Sequence, residues 1–174
     1  LILKLPNLTV NSTKTQVVVE NQMHTEYSQS AVRFATLGKA NRPIESEADA
    51  VSVLGDVSGI YGYTDVKTQF RYAGEPVTSE FAKHYIFHQT YKGKRVYGKS
   101  MIITVARDVN EVIVVSGNYK AVEGKLEKTE VTGKEAKDVV TKAGIGTLIS
   151  EPENVVLCMD KPQNTWLLSV VTND

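Results

Sequence analysis

The stretch that decides the fold is Phe81–Tyr119, FAKHYIFHQTYKGKRVYGKSMIITVARDVNEVIVVSGNY. It consists of three apolar runs rich in β-branched and aromatic residues, separated by short polar turns. Phe81–Tyr91 reads as a long strand, Lys92-Gly93-Lys94 as a turn, and Arg95–Ala106 as the returning strand. Arg107–Asn110 turns the chain again, and Val112–Tyr119 is the last strand. Such a meander needs one face covered. On the first strand one face carries Phe81, Lys83, Tyr85, Phe87, Gln89 and Tyr91, and the other Ala82, His84, Ile86, His88 and Thr90. The first face is the heavier apolar one and is expected to meet the core.

The cover lies upstream. Between Ser46 and Tyr61 the period changes, and Ala50, Val53, Leu54, Val57, Ile60 and Tyr61 follow the i, i+3, i+4, i+7 spacing of an amphipathic helix. Ser46 is a good N-cap, and Glu47 and Asp49 put negative charge in the first turn. Gly55 and Gly59 weaken its later part. Asp65–Tyr72 reads as a further strand, with Ala73-Gly74-Glu75-Pro76 as the turn after it. Nearer the start, Gln16–Glu20 and Ala31–Thr36 read as strands, with Asn7, Asn11 and Asn21 in the gaps and Gly38 after the second.

Downstream, Lys120–Glu130 is a charged connector containing Gly124. Thr132 with Glu135 forms a capping box for a second helix, Ala136, Val139, Val140 and Ala143 keep its spacing, and Gly144 ends it. Two strands, Asn154–Met159 and Thr165–Val171, flank the turn Asp160–Asn164. The expected class is α+β, with antiparallel sheets each covered by a helix. Residues 1–40 form a β-rich extension, followed by units over 41–124 and 125–174.

Composition narrows the function classes. The chain has 174 residues, 20 Lys+Arg against 20 Asp+Glu, and a single Cys. One cysteine makes no internal disulfide and no Cys-rich zinc site. Balanced charge gives no general attraction to nucleic acid or anionic lipid, and neither is an expected partner. No run approaches the roughly 18 apolar residues of a membrane span. Leu1–Leu5 lacks the basic lead and long apolar run of a signal peptide. The chain begins without Met, so it reads as a processed or trimmed piece.

No constellation for catalysis emerges, and no catalytic residue, metal ligand or cofactor is expected. His84 and His88 have the spacing of zinc ligands on a helix, but on a strand residues four apart lie about 13 Å apart. HExxH, GxSxG, the P-loop and GxGxxG are all absent from the sequence. Cys158 sits in the apolar run VVLCM and reads as a small packed hydrophobe. Glu45 and Glu47 stand at a helix start, where negative charge belongs. Asn7 and Asn11 head glycosylation-type triplets. Tyr91, Lys94, Arg95 and Tyr97, with Lys92 and Lys99, form a locally basic hairpin. It serves either as a contact patch for an acidic partner or as a solvated tip that resists edge pairing.

Tyr85–Tyr119 resembles the FTP domain, the propeptide module of fungalysin and thermolysin-type proteases. The residues that carry the resemblance are Gln89-Thr90-Tyr91, Gly93, Val96-Tyr97-Gly98, Ile102–Val105 and Ser116-Gly117-Asn118. The preceding helix, Glu47–Tyr61, fits the same pattern, and Thr132–Thr172 resembles a PepSY unit. The resemblance implies two cystatin-like units in the order found in prosegments of secreted thermolysin-like metalloproteases. It implies a prosegment that assists folding of the zinc protease and inhibits it, with that protease domain as partner. It also implies a secreted or cell-surface location, with the PepSY-like unit ending early at Asp174. The alternative is a stand-alone protein-binding or protease-inhibitor module at the cell surface or in the periplasm. Within the matched pattern, Gln89, Gly93, Val96, Gly98 and Gly117 are read as shape-setting residues. The glycines permit turns and close approach, and Gln89 on the inner face meets a backbone group.

Overall fold

The computed structural model describes residues 17–20, 23–28, 31–37, 43–158 and 161–172. Asn7, Asn11, Asn21 and Gly38 lie outside these residues, as do Met159 and Asp160. The chain is α+β and divides into two compact units. The first comprises Leu1–Gln89 with Lys99–Ala121, and the second Thr90–Gly98 with Val122–Asp174.

In the first unit, α1 (Glu47–Tyr61) starts at Ser46, whose hydroxyl accepts from the Asp49 backbone N–H at 3.2 Å. Asp49 Oδ2 accepts from the Ser46 N–H at 2.9 Å, completing a capping box. Its buried stripe is Ala50, Val53, Leu54, Val57 and Tyr61, as the spacing requires. The stripe packs on the sheet formed by β1 (Val17–Glu20), β2 (Met23–Ser28), β3 (Ala31–Leu37), β4 (Phe70–Tyr72), β5 (Val77–Thr78), β6 (Ala82–Tyr91), β7 (Lys94–Ala106) and β8 (Val112–Gly117). The order is β1-β2-β3-β8-β7-β6, with β4 and β5 both on β6. Tyr85, Phe87, Met101, Ile103, Val105 and Val115 supply the sheet side of the core. Two tyrosines combine burial with a backbone anchor: Tyr61 Oη donates to the Val115 carbonyl and Tyr63 Oη to that of Leu54, each at 2.7 Å. Burial away from water holds the Tyr63 phenol well above its ordinary range, so it stays a donor.

Two readings of this unit need correction. Phe81 was expected on the core face but is 76% exposed. It lies just before β6 begins, so the strand alternation does not govern it; Tyr85, Phe87 and Gln89 do follow that alternation. Asp65–Tyr72 is not one strand. Asp65 caps a single helical turn, α2 (Val66–Gln69), by accepting from the N–H groups of Lys67 and Thr68. Gln69 Oε1 reaches back to the N–H groups of Thr64 and Asp65, at 2.9 Å each. The Asp-x-x-x-Gln spacing carries that local signal, and it outweighs the β propensity of the neighbours.

In the second unit, α3 (Gly133–Ala143) starts at Thr132 with a capping box to Glu135 and ends at Gly144 in the left-handed conformation. It is followed by β9 (Thr147–Leu148), β10 (Glu153–Cys158), β11 (Pro162–Leu167) and β12 (Val170–Val171). β10 and β11 form an antiparallel hairpin, and Val156 pairs in parallel with Val96 of β7. β11 begins at Pro162, inside the segment expected to turn. The single strand expected over Thr165–Val171 is split, because Val170 and Val171 pair with β9 instead of β10.

Candidate functional site

The residues singled out by sequence lie on the β6–β7 hairpin, except Gly117 at the end of β8. Lys92 and Gly93, the two residues between β6 and β7, have φ of 50° and 77°. Two successive positive φ values make the primed turn that matches strand twist, and Gly93 accepts this without strain. Gly98, at φ 67°, lies within β7. Val96 is buried on one side of it, while Met101, Ile103 and Val105 are buried beyond it, so the parity of buried positions changes across Gly98. Gly117 serves by absence of bulk: a Cβ there would stand 2.4 Å from Met101 Sδ and 2.6 Å from the Ser100 carbonyl. Asn118 then ties the same place, its N–H donating to the Ser100 carbonyl and its Oδ1 accepting from the Ser100 N–H.

Gln89 is 2% exposed and uses both ends of its amide. Nε2 donates to the Lys120 carbonyl at 2.6 Å, and Oε1 accepts from the Lys120 N–H at 3.1 Å. A buried amide left unanswered would be costly, so this pair fixes where the chain goes after β8.

The basic hairpin is largely engaged within its own unit. Lys94 Nζ donates to Asn164 Oδ1 at 2.8 Å, and Arg95 lies 3.5 Å from the Glu153 carboxylate. Tyr91 Oη donates to the Gly124 carbonyl at 2.5 Å, and Lys92 Nζ reaches the same oxygen at 3.2 Å. Tyr97 is half exposed. Lys92, Lys94 and Arg95 thus each have an acceptor within the unit.

Two residues that sequence reasoning passed over complete the arrangement. Asn164 Nδ2 donates to the Glu127 carbonyl, and Trp166 Nε1 to the Val131 carbonyl at 2.8 Å. With Tyr91 and Lys92 they hold the connector that sequence marked only as charged. The signal available was the single Trp of the chain, on a strand after a polar turn. A buried or partly buried indole N–H needs an acceptor.

For chemistry, the remaining candidates are dispersed. His84 Nδ1 is 3.0 Å from Thr104 Oγ1. Cys158 is half-buried at the end of β10, opposite Pro162. Among the described residues no group of three or more His, Cys, Asp or Glu side chains could hold a metal ion. An open groove of about 680 Å³ lies beside the start of α1, with Val51, Val66, Phe70 and Phe87 in its lining and Glu47 and Lys67 among its polar residues. Its charges are mixed, so it selects no ligand sign. No helix among the described residues is long and apolar enough to cross a membrane. In comparisons with known proteins, no family model, no curated protein and no solved structure matches the chain.

Proposed function

We propose that this chain is a prosegment, an intramolecular chaperone and inhibitor of a secreted thermolysin-like zinc metalloprotease. One observation supports the reading above others. The residues that carry the FTP resemblance occupy places where their type is needed: Gly93 and Gly98 at positive φ, Gly117 at a close approach, and Gln89 in a two-ended amide clamp. The pattern is thus a pattern of shape, borne by a helix-backed antiparallel meander. On this reading the two units are cystatin-like and present surface to a protein partner, and the exposed Val139, Ile145 and Ile149 of the second unit belong to that surface.

The mechanism follows from linkage. A surface that binds the folded protease and not the unfolded chain stabilises the folded state. If it also fits a late, compact folding intermediate, it lowers the barrier for a large protein rich in non-local contacts. The same surface, lying across the cleft, excludes substrate. The test is to refold denatured thermolysin-like proteases with and without the purified chain, and to assay peptide hydrolysis by the native enzymes in its presence. Higher refolding yield and slower hydrolysis are expected for at least one such protease. No effect on either would remove the proposal. Reading the gene past the codon for Asp174 is a second check, since an HExxH segment should follow. A frame that closes without one would make the chain a stand-alone binding or inhibitor module.

A further inference from the structure

A strand at the border of a sheet shows a row of backbone N–H and C=O groups that no neighbour answers. Folded proteins blunt such borders with charge, proline, bulges or brevity. The first unit does so on the outer side of β6. There β4 and β5 are three and two residues long, Gly74, Glu75 and Pro76 lie between them, and Arg71 is exposed.

The border of the second unit is built differently. β11 pairs with β10 and, among the described residues, with no other strand. Its six residues keep one unbroken register, from Pro162 opposite Cys158 to Leu167 opposite Glu153. No residue between Lys161 and Asp174 carries a charge, in a chain that is 23% charged. Pro162 is the one protective feature, and it stands at the first position of the strand, leaving Gln163–Leu167 open. The connector does not close this border. Asn164 and Trp166 reach the Glu127 and Val131 carbonyls through their side chains, and among the described residues no backbone group outside β10 pairs with β11. In an antiparallel pair every second residue turns both its N–H and its C=O away from the neighbour. Such a row is completed by another extended strand.

The residues of β11 favour a copy of itself. Two copies of one strand laid side by side and antiparallel are related by a two-fold axis normal to the sheet, which closes the assembly at two. The axis passes through a residue, because each side chain must meet one on its own face. Centred on Thr165, it sets Thr165 against its own image, Gln163 against Leu167 and Asn164 against Trp166, and it leaves Pro162 outside the pairing. A charge at the centre would face itself, whereas a Thr–Thr pair across two strands is favourable. We propose that β11 is a self-association edge, on which two copies of this chain pair antiparallel about Thr165 and join their sheets. The proposal goes beyond the prosegment reading and does not rest on it, because it follows from one strand of one unit.

The test is sedimentation equilibrium of the full chain from about 1 µM to about 1 mM. A monomer–dimer equilibrium is expected, with a dissociation constant on the order of 0.1 mM for so short a border. Thr165→Lys sets two ammonium groups against each other on the axis and should raise that constant at least about tenfold, whereas Thr165→Val should leave it within about threefold. Circular dichroism checks that both variants fold. A monomer throughout, growth beyond the dimer, a dimer that Thr165→Lys leaves intact, or one that Thr165→Val breaks as fully overturns the proposal. If Thr165→Lys does not fold, amide exchange of the unaltered chain decides the matter. The Gln163–Leu167 amides that point away from β10 should exchange roughly fivefold more slowly at about 1 mM than at about 10 µM, while those of β6 keep their rates. Equal rates at the two concentrations overturn it.

Discussion

Helices α1 and α3 start from the same chemistry. Ser46 with Asp49, and Thr132 with Glu135, each close a capping box, and Gly62 and Gly144 each end a helix in the left-handed conformation. They diverge in what they bury. α1 puts five side chains into the core, from Ala50 to Tyr61, whereas α3 buries none and leaves Val139 64% exposed. Capping therefore sets where a helix begins and ends, while the density of apolar residues on one face sets whether it becomes core. α1 has Val53, Leu54 and Val57 on one stripe. α3 offers Val139 and Val140, diluted by two alanines and five charged residues. A helix like α3 is organised locally and leaves apolar surface exposed.

The widest gap should appear on truncating the stripes. Leu54 is fully buried, and Leu54→Ala should cost about 2–5 kcal/mol through lost transfer energy and the cavity left behind. Val139→Ala should stay within about 0.5 kcal/mol. Urea unfolding of both variants measures this directly. A comparable loss at Val139 would mean that α3 is a core helix, and the contrast would collapse.

The next effect separates two glycines of the first unit. At Gly117 an added Cβ meets Met101 Sδ and the Ser100 carbonyl well inside contact distance, so Gly117→Ala should cost about 1–3 kcal/mol. At Gly55, within α1, nothing lies within 4 Å of the added atom. There Gly55→Ala should stabilise by about 0.5–1 kcal/mol, because alanine loses less backbone freedom in a helix. Thermal midpoints moving in opposite directions would support the account, and a stable Gly117→Ala variant would show that β7 and β8 can separate locally.

Removing the caps sharpens the comparison in another way. Ser46→Ala and Thr132→Ala remove equivalent hydrogen bonds, and each should cost its helix about 0.5–2 kcal/mol. The consequence should differ in extent. In α1 the loss is coupled to the core and lowers protection of the sheet amides as well. In α3 it is confined to the helix's first turn. Native-state amide exchange on both variants distinguishes the two, and equal spread would place α3 in a cooperative core.

How far the sequence carries is visible in the same elements. Both N-caps, the Thr132–Glu135 capping box, both helix spans and the meander over Phe81–Tyr119 were legible, because each is a local signal: a side chain within one turn, or a period of two or 3.6. Less was legible where the decisive partner is distant in sequence. Nothing near Trp166 announces that its indole answers Val131, and nothing near Asn164 points to Glu127. β9 and β12 pair only two residues each, too short to leave a periodic trace. At Asp65 the miss was of the opposite kind: the capping signal was local and present, but the flanking aromatic and β-branched residues masked it. Among the motif residues, Gly93 and Gly98 could be read as turn glycines, whereas the close approach at Gly117 depends on Met101 across the sheet.

The smallest expected effect concerns charge at the start of α3. Glu135 Oε2 accepts from the Thr132 N–H and from the Thr132 hydroxyl, both at 2.7 Å. The backbone hydrogen bond, and after it the hydroxyl, holds the Glu135 carboxyl below its ordinary value of 4.5. A carboxylate whose folded value is depressed stabilises fully above its unfolded value and loses that contribution as pH falls through the folded one. Acidification below 4.5 should therefore loosen the first turn of α3. The site is exposed, so the change should be local and read best from backbone carbon chemical shifts of residues 132–136. Glu135→Gln separates the two contributions within the box. Its amide oxygen still accepts from Thr132 at every pH, so the acid loosening should vanish while the cap persists. If the loosening survives that substitution, the carboxylate is not its source, and the pH response of α3 must come from its packing, which would contradict a helix that buries nothing.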